Sequence, residues 1–374
     1  MSKKILIIFE DDWELMGNGL GNVTDLQYLP SLQLLNIADM YGIKLNFMVD
    51  VMQQIYFKKF EKKDRNISLQ KKIWEECVLM FIDKGHDVQL HLHPQWHDAS
   101  YVNGYFELSN YWNLGSYSTE KQKEMISESV SYLNTLIKPF NNNYHVHSFK
   151  AGSWGLQPSM CVLQNLEDQG IRLVMGVVNN FYFKTQSFHL DYRNLEEAFF
   201  PYYPNYNDLT KISKEKEKIV ILPIHSYQDS IFSSLKRHTI SALHYPYNKF
   251  KDKNDRFFYY NDIPSKILNN SPVQNKYSIL DKMFNKYFHL HIPTPISIFR
   301  NIIDKSIGIA KESQFEMIPI VVESHTKNYF NNIKMVNDNF RYIIERYGDI
   351  VQFTTLSEIM RLKEKNNLPI KRIT

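Results

Sequence analysis

Apolar positions alternate along this chain in two periods that take turns. Lys4–Phe9 is an apolar run of strand type, and Leu34, Leu35, Ile37, Ala38 and Tyr41 then recur at helical spacing over Ser31–Tyr41, with Gly42 as the stop. Ile43–Val49 reads as a second strand. Ser68 can cap a helix carrying Ile73, Trp74, Cys77, Val78, Phe81 and Ile82, and Gly85 ends it. In Asp87–Leu92, Val88, Leu90 and Leu92 alternate with Gln89 and His91, which is the period of a strand. Pro94 closes that strand, because proline cannot donate to a ladder.

The alternation continues past an aromatic loop, Asp98–Tyr117. Thr119 and Gln122 form a capping box for a helix that reaches Ile137. His147–Lys150 is a fourth strand, Pro158 opens a helix that ends at Gly170, and Ile171–Val178 is a fifth strand. Asn179–Lys218 is polar and tyrosine-rich. Ile219–Ile224 and Met317–Val322 read as the sixth and seventh strands, Asn332–Arg346 as a helix and Ile350–Phe353 as a last strand. Ser226–Ser313 breaks the rhythm and reads as an insertion or cap. The tail from Lys363 is polar and expected to fray.

Repeated strand–helix units imply parallel strands with right-handed crossovers. The expected fold is α/β: one domain over 1–374, a distorted (β/α) barrel of seven or eight mostly parallel strands, with 226–313 inserted. No glycine-rich phosphate loop follows any strand, which disfavours a dinucleotide-binding sheet.

Composition changes this picture little. A hydrophobic fraction of 43% suits a buried core, and a net charge of +4 over 374 residues does not point to nucleic acid. Two cysteines, Cys77 and Cys161, give no disulfide framework and read as buried thiols. The N-terminal apolar run is too short for a signal peptide, and no apolar stretch is long enough to span a membrane, so a cytoplasmic protein is expected.

The polar clusters are more informative, because they fall where strands end and βα-loops begin, which is where a barrel places its chemistry. Asp11 and Asp12 follow the first strand, His91, His93 and His97 the third, Lys150 the fourth, His225 the sixth and His325 the seventh. Asp12 with His91 and His93 would form a two-histidine, one-carboxylate site for zinc, iron or a similar divalent ion. The neighbouring carboxylate could then serve as general base. His97 could complete the ligand set or be a loop residue. Trp13, Trp96 and Trp154, beside these clusters, and His225 are candidate substrate-binding residues.

These stretches resemble the polysaccharide deacetylase, or NodB-homology, superfamily, in the branch associated with bacterial surface-polysaccharide biosynthesis. The resemblance covers roughly 3–225 and 315–360. Phe9-Glu10-Asp11-Asp12-Trp13 is similar to its first motif, which implies Asp11 as base and Asp12 as metal ligand. His91-Leu92-His93-Pro94-Gln95-Trp96 resembles the motif that supplies two histidine ligands. Phe149-Lys150-Ala151-Gly152-Ser153-Trp154 resembles the motif whose arginine orients the base, here with lysine. Val321-Val322-Glu323-Ser324-His325 occupies the place of the general acid, His325. Two registers stay open: Glu10 as base with Asp11 as ligand, and His93 with His97 as the histidine pair.

The resemblance implies metal-dependent removal of an N-acyl group, acetyl first, from an amino sugar of O-antigen or capsule synthesis. Zinc is the expected metal, with iron, cobalt, nickel or manganese as alternatives. Hydrolysis of another amide or ester, or a non-catalytic glycan-binding barrel, are the competing readings. Between Lys236 and Lys305, twelve Lys or Arg stand against five Asp or Glu. That surplus fits a nucleotide- or lipid-phosphate-linked glycan, or peripheral contact with the inner face of a membrane. Oligomeric state is not legible in the sequence.

Overall fold

The computed structural model describes residues 3–17, 19–184, 188–228, 265–267, 287–329 and 332–373. Eight parallel strands build the main sheet: β1 (Lys4–Trp13), β2 (Asn46–Asp50), β3 (Asp87–Leu92), β4 (Ser148–Ala151), β5 (Leu173–Met175), β6 (Val220–Ile221), β7 (Met317–His325) and β8 (Val351–Phe353). Their spatial order is β6-β5-β4-β3-β2-β1-β7, with β8 also paired to β1. Single bridges Val178–Ile224 and Ile224–Val321 span from the β6 edge to β7, so the sheet curls into a distorted barrel. Helices cover its outside: α1 (Leu29–Tyr41), α2 (Val51–Phe60), α3 (Arg65–Asp83), α4 (Thr119–Ile137), α5 (Met160–Asp168), α6 (Ile296–Glu312), α7 (Ile333–Tyr347) and α8 (Leu356–Glu364).

β1 is the organising strand. One edge pairs with β7 from Lys4–Met317 to Asp12–His325, and the other pairs first with β8 and then with β2. It runs four residues beyond the expected Phe9. The three carboxylates Glu10, Asp11 and Asp12 therefore lie inside a strand, on alternating faces, and not in a loop after it. β7 likewise continues through His325, three residues past the expected end.

Other departures have local causes. Asp64 caps α3 by accepting from Asn66 N, so the helix starts before Ser68. Ser118 caps α4 by accepting from Lys121 N, and Gln122 instead donates to the Tyr117 carbonyl. Helix α2 was not visible in the pattern because it buries residues on nearly every side. The tail is tied down: Lys371 N donates to Pro201 O, and Tyr203 N to Lys371 O. Cys77 is buried and Cys161 half-buried, and both are free thiols.

The region expected as an insertion starts and ends beside the barrel. Ser226–Gln228 pairs antiparallel with Tyr287–His289. The following residues run along the end of β7: Glu323 N donates to Leu290 O and Ile292 N to Glu323 O. Residues 229–264 and 268–286, and with them most of the basic stretch 236–305, lie outside the described residues. Among the described residues no helix is long and apolar enough to cross a membrane.

Candidate active site

At the C-terminal ends of the strands lies a cavity of about 520 Å³. Asp12, Glu14, His93, His289, His291, His325 and Lys327 line one part of it, and Trp112, Trp154, Phe181, Phe183 and Phe188 another. Glu10, Asp12 and Glu14 share one face by the alternation of β1, and Glu323 and His325 share one face of β7.

Two clusters of ligand atoms form here. In the first, Glu14 meets His91 and His93: Glu14 Oε2 is 3.1 Å from His91 Nε2 and in contact with His93 Nε2. The second joins Asp12, Glu323 and His325. The carboxylate beside His91 and His93 is thus Glu14, whereas the sequence pattern pointed to Asp12. The alternation of β1 explains it, since the next inward position past Asp12 is Glu14, level with the end of β3.

The first cluster fits a divalent ion. The Lys150 carbonyl can only accept, so His91 Nδ1, 3.0 Å away, carries the proton and donates to it. His91 Nε2 then presents its lone pair to a carboxylate, and two electron-rich groups at that distance call for a cation. Gln95 Nε2 donates to His93 Nδ1 at 2.7 Å, which turns His93 Nε2 toward Glu14. Burial alone would raise the Glu14 carboxyl, but the His93 ring and the Lys327 ammonium hold it well below the usual carboxylate range. Burial would lower His93, yet Glu14 raises it to about 8. Gly152 is required at this wall, because a Cβ there would lie 2.6 Å from His93 Nδ1. Two imidazoles and one carboxylate suit zinc, iron and related divalent ions.

In the second cluster a cation is already built in. The Lys150 ammonium, fully buried, lies 2.7 Å from Glu10, 2.9 Å from Asp12 and 2.6 Å from Glu323. Burial opposes its charge, but the three carboxylates raise its pKa well above the ordinary value. Lys150 thus holds Asp12 toward the cavity. Asp12 Oδ2 is 3.3 Å from His325 Nε2, and His325 Nδ1 is 3.3 Å from His291 Nε2. Burial holds His325 down to about 4.

The remaining candidates lie elsewhere. Asp11 faces away from the cavity, where Thr326 and Tyr329 donate to its carboxylate, and burial raises its pKa to about 7. Glu10 is on the same face as Asp12 but deeper in the barrel, bonded to Lys150 and not lining the cavity. His97 belongs to neither cluster; it faces Asp98 and packs edge-on against Tyr117. Trp13 is core, packed on Trp74 and Phe81 with its indole N–H donated to Ser31. Trp96 packs in the core on Phe57 and Phe106. His225 is buried between Ser306 Oγ and the Phe199 carbonyl. Of the four substrate-binding candidates, Trp154 alone lines the cavity.

Sequence reasoning missed Glu14, Glu323, His289, His291 and Lys327. The signal for Glu14 was the i, i+2 spacing Glu10-x-Asp12-x-Glu14, which marks one face if the strand is allowed to continue. His289 and His291 have the same spacing as His91 and His93, but they lie at the end of a stretch with no clean alternation.

A scan against protein-family models finds no match, and neither does a search of curated proteins. Among solved structures, the chain is similar to a protein from Mycobacterium smegmatis assigned as a polysaccharide deacetylase (TM-score 0.49, 11% identity, covering 100% of this chain and 95% of that one). It is also similar to Puue allantoinase (TM-score 0.48, 11% identity, 98% and 92% covered). A third similarity is to a 4-alpha-glucanotransferase from Thermococcus litoralis (TM-score 0.45, 11% identity, 96% and 40% covered). At this identity and overlap, no residue role follows from them.

Proposed function

We propose that this chain is a metal-dependent hydrolase that removes an N-acyl group from an amino sugar. The observation that carries the proposal is the convergence of Glu14, His91 and His93 at a cavity that also presents Asp12 and His325. Glu14, His91 and His93 would hold the ion. When bound there, a divalent cation supplies Lewis-acid polarisation of an amide carbonyl and of water.

The proton traffic falls to this chain's own residues. Asp12 Oδ2 accepts the proton of the attacking water, with Lys150 fixing the carboxylate. If His325 Nδ1–H is directed to His291, Nε2 is the basic nitrogen and lies 3.3 Å from Asp12 Oδ2. It relays the proton to the departing amine. A histidine held near 4 gives a proton up readily. Trp112 and Trp154 offer stacking faces to a sugar ring.

The finer reading is a zinc enzyme inside the cell, acting on an N-acetylated intermediate of surface-polysaccharide synthesis. What supports it is the resemblance of Phe9–Trp13, His91–Trp96 and Phe149–Trp154 to that branch of the superfamily. The basic stretch 236–305 supports an anionic, phosphate-linked glycan or an anionic membrane surface nearby. The test is elemental analysis of chelator-free protein together with acetate release from N-acetylated amino sugars. Loss of the ion in His91→Ala and His93→Ala is expected. Protein that holds no divalent ion overturns the proposal, and ion without acyl release redirects it to another amide or ester.

A further inference from the structure

Glu323 has no place in the proton path, yet it is fully buried and touches three residues of the site. Its Oε1 accepts from Lys150 Nζ at 2.6 Å and from Trp154 Nε1 at 2.9 Å. Its Oε2 lies 2.7 Å from His289 Nε2. These three partners come from β4, from the turn after β4 and from the segment that returns out of the inserted region. Burial works against the charge on Glu323, and Lys150 and His289 hold its carboxyl well below the usual range.

Trp154 needs such an anchor. Ser153 and Trp154 both adopt left-handed backbone angles, with φ of 53° and 57°. Residues with a Cβ disfavour this region, and a bulky one is held there only by its surroundings. Three contacts hold it: the indole N–H on Glu323, the Tyr192 hydroxyl donating to its carbonyl at 2.8 Å, and the ring edge-on to Phe181 with centroids 4.6 Å apart. His289 packs edge-on against the same indole at 5.3 Å. Of these anchors, Glu323 alone also touches Lys150.

We infer that Glu323 is a positioning residue that couples the aromatic wall to the proton-transfer pair. One carboxylate oxygen sets the indole of Trp154 and, through Lys150, the orientation of Asp12. A shift of the indole on contact with a sugar ring is therefore felt at Asp12, and a change at Lys150 is felt at the indole. The inference rests on the proposed function for its meaning in turnover, but the contact network can be tested without turnover.

The chain has five tryptophans, so protein labelled with fluorotryptophan gives a small set of fluorine NMR lines, and Trp154→Phe assigns one of them. Glu323→Gln is expected to move the Trp154 line by more than its linewidth. Lys150→Met is expected to move it as well, while Lys150→Arg, which keeps the charge, restores most of its position. Lys327→Met removes a cavity-lining ammonium, one paired with Glu14 and not with Glu323, and should leave the line in place. A Trp154 line that stays put in Glu323→Gln, or that responds equally to Lys327→Met, overturns the coupling. If Lys150→Met does not fold, the comparison of Glu323→Gln with Lys327→Met decides alone. Divalent-ion content measured on the same samples reports the metal site separately, so loss of that reading and loss of the coupling are told apart.

Discussion

Glu14 Oε2 lies 3.1 Å from His91 Nε2, although 77 residues separate them in the chain. The pairing makes Glu14 the carboxylate of the candidate metal site and, on the proposed function, leaves Asp12 for proton transfer. Glu14→Ala should lower divalent-ion affinity by at least about 100-fold, since removing even a supporting partner of a metal ligand costs 10- to 100-fold. Asp11→Asn should leave it unchanged. Calorimetric titration of chelator-stripped protein with zinc checks both.

Asp12→Asn should retain the ion and lose hydrolysis by on the order of 10²- to 10⁴-fold, the usual worth of a general base. The same substitution at Asp11, whose carboxylate faces Thr326 and Tyr329, should cost far less. Acetate release at saturating ion separates the two. Equal losses would return the base to Asp11.

Lys150→Met should destabilise the fold by roughly 3–5 kcal/mol, because it leaves Glu10, Asp12 and Glu323 buried without their shared cation. Lys150→Arg should recover part of this, limited by the larger guanidinium. Denaturant unfolding at neutral pH is the measurement.

His225 gives a pH dependence remote from the cavity. Burial pushes it down to about 4, and its neutral form is fixed: Nε2–H donates to the Phe199 carbonyl and Nδ1 accepts from Ser306 Oγ, each at 2.9 Å. Its folded-state pKa lies below the unfolded value near 6.5, so the unfolded chain binds the extra proton first. Stability should therefore be full above about pH 6.5 and fall as pH drops toward 4, by about 3 kcal/mol from this group. His225→Gln should flatten that part of the profile in unfolding experiments run from pH 7 to pH 4.

The barrel was legible because its strands and helices differ in period, and that difference survives one-residue errors at their ends. The site was half legible. His91, His93, Lys150 and His325 each sit at a strand end, where pattern and chemistry coincide. Glu14 was hidden because an apolar-run criterion stops β1 at Phe9, whereas the ladder with β7 carries it through polar residues to Trp13. Trp13 and Trp96 looked like platforms because a tryptophan beside a charged residue is the same in sequence whether it faces a cavity or the core. The strand's alternation sends Trp13 to the outer side, against Trp74. His289 and His291 depend on a segment that rejoins the barrel beside β7 from far along the chain, and no local pattern announces that pairing.

The site draws its two halves from parts of the chain with unequal freedom to change. The acids Asp12 and Glu14 come from or directly follow β1, which is bonded along both edges and buried almost throughout. Its amides should be among the slowest in the molecule to exchange with solvent. His289 and His291 come from a segment joined to β7 by a few backbone bonds. Trp112, Phe181, Phe183 and Phe188 come from connections between barrel strands. On the proposed function, altering those connections would exchange one sugar for another while the bond cut stayed the same.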